Sequence, residues 1–119
     1  MKRVLETNIV LYLLGGRLAQ PLDPGEYYLS VITEMELLSY AGLSGKGEQQ
    51  VREFLSSVTV VDLTTEVKEA AIRLRREHKL KLPDAIVAAT ADVLDAELLT
   101  NDQHLLDMPD LRTLSLPLA

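Results

Sequence analysis

The sequence predicts an α/β fold, a three-layer sandwich in which helices cover both faces of a central parallel sheet of about five strands. Three observations carry that expectation. Short runs rich in β-branched and aromatic residues alternate with stretches of helical periodicity, the order that generates a parallel sheet. Apolar residues make up 47% of the 119-residue chain, enough for one core and a single domain over residues 1–119. The segment after Asp84 is apolar nearly all round, as a helix packed on more than one side must be.

Lys2 to Leu5 reads as the first strand, and the apolar stretch after Thr7-Asn8 as a short helix stopped by Gly15-Gly16. Pro21, Pro24 and Gly25 mark a surface loop before a second strand, Tyr27 to Val31. A helix from Thr33 to about Ala41 is broken by Gly42, Gly45 and Gly47, and another runs from about Gly47 to Ser56. Val58 to Leu63 reads as strand three. The next helix begins near Thr64, because Val67, Ala70, Ala71 and Leu74 keep the spacing of one apolar face. Pro83 suits the first turn of a central helix extending from Asp84 to about Leu94. Leu98 to Thr100 is a short strand, Asp102 to Leu106 a helical turn, and Arg112 to Leu116 a last strand.

Composition narrows the chemistry. Cysteine is absent, which excludes a disulfide scaffold, a thiol nucleophile and a thiolate-held zinc. Two histidines, His78 and His104, make an imidazole zinc site unpromising, so a metal here would be held by oxygen. No apolar run approaches the roughly 20 residues of a membrane span. Glu6 and Asn8 interrupt any signal-peptide core, and the chain is expected to stay in the cytoplasm. The net charge is −6, yet residues 1–81 balance 11 basic against 11 acidic side chains, so the acidic excess lies in the last third. Just before it, Arg73, Arg75, Arg76, Lys79 and Lys81 form the densest basic run, a candidate contact for an RNA backbone or the solvated face of an amphipathic helix.

Four acids occupy similar structural addresses. Glu6 ends strand one, Glu36 opens the helix after strand two, Asp84 opens the central helix, and Asp102 follows strand four. Loops beyond the carboxyl ends of parallel strands surround the ligand crevice, so residues roughly 30, 50 and 20 positions apart can meet there. Carboxylates so gathered raise one another's pKa unless a cation joins them, and Mg²⁺ or Mn²⁺ prefers just such oxygens. Such an ion activates water and stabilises charge on a phosphoryl group, which is what hydrolysis of a phosphodiester requires. Each acid also has a structural role open to it. Thr33-x-x-Glu36 matches a capping box, Asp84 suits a helix N-terminus, Thr100-Asn101-Asp102 suits a turn and cap, and Glu6 could pair with an arginine. Thr100 and Asn101 are candidates to order Asp102 or a nearby water, and Asn8 to do the same for Glu6. His104 is either a phosphate contact or a surface histidine.

The chain resembles the PIN-domain proteins, specifically the short VapC-like ribonucleases of toxin–antitoxin pairs. The resemblance rests on four blocks in order: Val4-Leu5-Glu6-Thr7-Asn8-Ile9, Ser30-Val31-Ile32-Thr33-Glu34-Met35-Glu36-Leu37, Leu82-Pro83-Asp84-Ala85-Ile86-Val87-Ala88-Ala89 and Leu99-Thr100-Asn101-Asp102. It implies that Glu6, Glu36, Asp84 and Asp102 are the catalytic, metal-site acids, with Thr100 and Asn101 as their polar support. It further implies Mg²⁺- or Mn²⁺-dependent cleavage of RNA, a homodimer, and an antitoxin whose tail fills a groove beside the pocket. Ile9, Val10, Leu13 and Leu14, with Met35, Leu37 and Leu38, are the apolar side chains available to such a groove or to the core. Glu6 departs from the pattern, which has Asp there, and so raises a second reading: a catalytically weakened PIN module that keeps RNA or protein binding. A phosphatase of small phosphoesters would share the acids, but no glycine-rich phosphate loop accompanies them.

Overall fold

The computed structural model describes residues 1–40 and 43–119. Its sheet has five strands, β1 (Lys2–Leu5), β2 (Glu26–Ser30), β3 (Thr59–Val61), β4 (Glu97–Leu99) and β5 (Thr113–Leu114), in the order β3-β2-β1-β4-β5. Every neighbouring pair is parallel, with Val4 of β1 opposite Tyr28 on one side and Leu98 on the other.

Successive side chains of a strand point to opposite faces, and here each face meets its own layer of helices. Val4 and Leu98 enter a core formed with α4 (Thr65–His78) and α5 (Leu82–Leu94). Leu5, Leu29 and Leu99 enter the other, with Ile9 and Val10 of α1 (Thr7–Leu14), Leu37 of α2 (Val31–Leu38) and Val51 of α3 (Gly45–Leu55). This is the expected three-layer sandwich. α5 is its central helix, buried continuously from Ala85 to Ala91. Pro83 lies in its first turn, as expected.

The starts of α2 and α3 lie upstream of the sequence reading, for the same local reason. Val31 and Ile32 look like strand residues, but Ser30 accepts a hydrogen bond from the Ile32 backbone N–H at 3.1 Å and starts α2 there. Thr33 is therefore inside the helix, buried, and is not its cap. Ser44 likewise accepts from the Gly47 N–H at 2.9 Å, so Gly45 and Gly47 belong to the first turn of α3 rather than breaking the chain before it. The predicted helix end at Ala41 and the break at Gly42 lie outside the described residues; α2 itself ends at Leu38.

The strand order sets the position of the site. From β1 the chain builds outward through β2 and β3, then crosses to the other side of β1 for β4 and β5. Connections diverge between β1 and β4, the switch point outside whose carboxyl ends open parallel sheets place a ligand crevice.

Candidate active site

Glu6 stands at that crevice. Its backbone N–H donates to the Leu99 carbonyl at 3.0 Å, so the sheet fixes the residue before its side chain makes any bond. The side chain is buried: Oε2 accepts from the Asn8 N–H at 3.1 Å, capping α1, and Oε1 accepts from the Thr100 hydroxyl at 3.2 Å. Thr100, fully buried, in turn accepts from the Asp102 N–H at 3.0 Å. One hydroxyl thus ties the end of β1 to the end of β4. Asp102 accepts from the His104 N–H at 2.9 Å and caps α6 (Gln103–Leu106).

Asp84 is half-buried in the first turn of α5. Burial pushes its pKa up, the charges of Asp102 and Glu36 push it further, and Lys81 and His104 oppose them. Burial also raises the pKa of Glu6. The Asn8 N–H and Thr100 hydroxyl pull it back, while the charges of Asp84 and Asp102 add to the rise. These electrostatic couplings run through all four predicted acids.

Glu36 is held from the side. It accepts from the Thr7 hydroxyl at 2.7 Å, and the Thr7 and Thr33 oxygens are 3.1 Å apart. A hydroxyl has one proton to give, so Thr7 donates to the carboxylate and Thr33 donates to Thr7. The capping-box alternative for Glu36 is overturned, because α2 begins upstream of Thr33. The arginine alternative for Glu6 is also unsupported: among the described residues no cation pairs with it.

Among the described residues no group of three or more His, Asp or Glu side chains is placed to hold a metal ion. Like charges stand apart, and several of their oxygens are occupied by hydrogen bonds. The donor set is still the hard oxygen type suited to Mg²⁺ or Mn²⁺, and Mg²⁺ commonly takes only one or two carboxylates and completes its shell with water. The raised pKa values of Glu6 and Asp84 express a repulsion and desolvation cost that a cation would relieve. The residues present fit such an ion.

The other candidates separate. Asn8 is exposed, and its backbone N–H, rather than its amide, serves Glu6. The Asn101 amide is turned away, accepting from the Leu116 N–H at 2.7 Å and donating to its carbonyl at 2.9 Å, which pins the segment after β5. Lys81 precedes α5 and its charge reaches Asp84. Arg73 pairs instead with Asp92 at 3.0 Å, about 12 Å along the helix from Asp84. Arg75, Arg76 and Lys79 are exposed. Sequence reasoning passed over Thr7 and Thr33 as site residues. Their signal was present, since a hydroxyl directly follows Glu6 and another lies one turn before Glu36, but the pairing needs two helices to meet. A hollow of about 80 Å³, lined by Arg3, Tyr27, Leu114 and Leu116 among others, contains none of the four acids.

The PIN domain family model matches residues 3–111. The chain belongs to the PIN-domain family. This PIN domain is similar to a chain of a toxin–antitoxin complex from Klebsiella pneumoniae, at 33% identity and a TM-score of 0.80, over 92% of this chain and 94% of that one. It is also similar to VapBC-1 from nontypeable Haemophilus influenzae, at 26% identity and a TM-score of 0.74, over 97% and 98% of the two chains. It shares its fold with VapBC2 from Rickettsia felis, solved bound to a promoter DNA fragment, at 21% identity and a TM-score of 0.82, over 98% and 99%. No curated protein matches the sequence significantly.

Proposed function

We infer that this PIN domain is a divalent-metal-dependent endoribonuclease, working in the cytoplasm as a single-domain, homodimeric toxin silenced by a cognate antitoxin. The observation that carries the reading is the hydrogen-bonded frame in which Thr100 joins buried Glu6 to the Asp102 backbone at the carboxyl ends of β1 and β4, with half-buried Asp84 opening α5 beside it. The toxin–antitoxin role draws on the Klebsiella pneumoniae relative, itself solved in such a complex.

Asp84 and Asp102 would hold Mg²⁺ or Mn²⁺ from the starts of α5 and α6, with Glu6 and Glu36 completing the negative pocket. When bound, the ion supplies a water of lowered pKa and neutralises charge developing on the phosphoryl oxygens. The protein supplies the positioning. Thr100 fixes Glu6 and the Asp102 backbone together, and Thr7 turns Glu36 toward α1. Lys81 adds positive charge near Asp84, where an RNA phosphate would enter. The His104 ring is steadied by its Nε2, 3.1 Å from the His78 carbonyl, so that nitrogen carries the proton. Hydrolysis would leave a 5′-phosphate and a 3′-hydroxyl.

The test is hydrolysis of a defined single-stranded RNA in Mg²⁺ or Mn²⁺. Cleavage should fall by roughly 100-fold or more in Asp84→Asn and on chelation; hydrolysis that survives both would defeat the reading. One observation favours the weakened-module alternative. Both oxygens of Glu6 are already engaged, by Asn8 and Thr100, and the family pattern has the shorter Asp. Glu6→Asp decides between the two: a silent protein that gains cleavage on this change is a weakened module, and one already active is not.

A further inference from the structure

A groove of about 390 Å³ opens between α1 and α2, within the roughly 300–1,000 Å³ range of small-ligand clefts. Asn8 and Leu11 form one wall, Glu36, Ser39 and Tyr40 the other, and Thr7 joins them. It is continuous with the acid cluster, because Glu36 and Thr7 belong to both.

Tyr40 is 59% exposed, and among the described residues neither its hydroxyl nor the Asn8 amide takes part in a hydrogen bond. An exposed aromatic face beside a free amide is the combination that recognises an unpaired base, by stacking on its plane and bonding its edge. The apolar footing that a docked protein helix would need is small here: Ile9 and Val10 are fully buried, the apolar lining is half-buried Leu11, the 1%-exposed Leu37 and the Tyr40 ring, and exposed Met35 of α2 is not part of it. The charge of Glu36 disfavours a phosphate or carboxylate in the groove and tolerates a neutral ring.

We propose that this groove is a base-recognition pocket, in which Tyr40 stacks on an unpaired nucleobase next to the scissile phosphate and the Asn8 amide reads its edge. The assignment rests on the ribonuclease reading above and adds a specificity-determining residue to it.

The test compares wild type, Tyr40→Ala and Tyr40→Phe on a set of single-stranded RNA oligonucleotides, following cleavage with metal and binding by fluorescence anisotropy. Tyr40→Ala should raise KM and Kd roughly tenfold and blur the choice of cleavage position, whereas Tyr40→Phe keeps both. An abasic nucleotide beside the cleaved bond should reproduce the loss in wild type and add nothing further in Tyr40→Ala. Additive losses, or affinity and cleavage position unchanged in Tyr40→Ala, overturn the pocket, as does absence of RNA binding by wild type. Cleavage that ignores Tyr40→Ala leaves the nuclease reading standing. RNA binding through Tyr40 without cleavage keeps the pocket and removes the nuclease. Loss of a co-purifying protein on Tyr40→Ala, with RNA handling unchanged, would assign the groove to a protein segment and overturn the proposal.

Discussion

Glu6 directly follows β1 and Glu36 lies in the second turn of α2, the helix that follows the adjacent β2, and the fold treats these two glutamates differently. Glu6 is 8% exposed, with its two oxygens bonded to groups fixed by the sheet and by α1. Glu36 is exposed and leans on one hydroxyl of a neighbouring helix. A buried carboxylate must be held by its surroundings because water no longer solvates it, and each lost partner leaves an unsatisfied charge. An exposed one recovers most of what it loses from solvent. The inner acid should therefore be rigid and expensive to disturb, the outer one adjustable.

Thr100→Val offers the largest effect. The isosteric change removes the hydroxyl that serves both Glu6 and the Asp102 backbone, and should lower unfolding free energy by about 1–3 kcal/mol and cleavage by roughly 10–100-fold. Urea denaturation and RNA turnover measure the two. Thr7→Val makes the same deletion on the outer acid and should cost less than about 1 kcal/mol, with turnover reduced only several-fold. If Thr7→Val proves the more damaging, the contrast between inner and outer acid fails.

Glu6→Gln sharpens the same contrast through pH. Burial raises the Glu6 pKa in the folded protein, so folding binds protons more tightly than the unfolded chain does. The favourable contribution is complete below the unfolded pKa and is lost as pH rises through the folded one. Glu6→Gln escapes that loss, since its amide keeps an oxygen for the Asn8 N–H and a donor for Thr100. Its thermal unfolding should lie above wild type at neutral pH, and the two curves should converge as pH falls through the mildly acidic range. A gap that widens on acidification would reverse the assigned sign. Smallest of all should be Arg73→Ala, which breaks half-exposed pairs with Asp92 and Glu77 and should change stability by under about 1 kcal/mol. RNA affinity should hardly move, because Arg73 is committed to α5.

Much of the layout was legible because it depends on near neighbours. The Val67, Ala70, Ala71 and Leu74 stripe marked α4, with all four buried as the spacing requires, and the paired Gly15-Gly16 marked the end of α1. The start of α2 was misread because the β-branched pair Val31-Ile32 outweighed Ser30, whose capping bond forms only in the helix. Glu36 was visible as an acid but not by its partner, since Thr7 lies 29 positions upstream on another helix. Asn101 was grouped with Asp102 by adjacency, and the fold turned its amide toward Leu116, 15 residues on.

By itself the sequence determined the alternation of strands and helices and the absence of any thiolate donor, because composition and short-range periodicity are properties of the chain before it folds. Tertiary structure alone decided that β4 lies beside β1, and with it that Thr100 reaches Glu6 across 94 positions. Desolvation and hydrogen bonding between distant residues exist only once the strands are ordered, and those two effects bury Glu6 and tie it, through Thr100, to the Asp102 backbone.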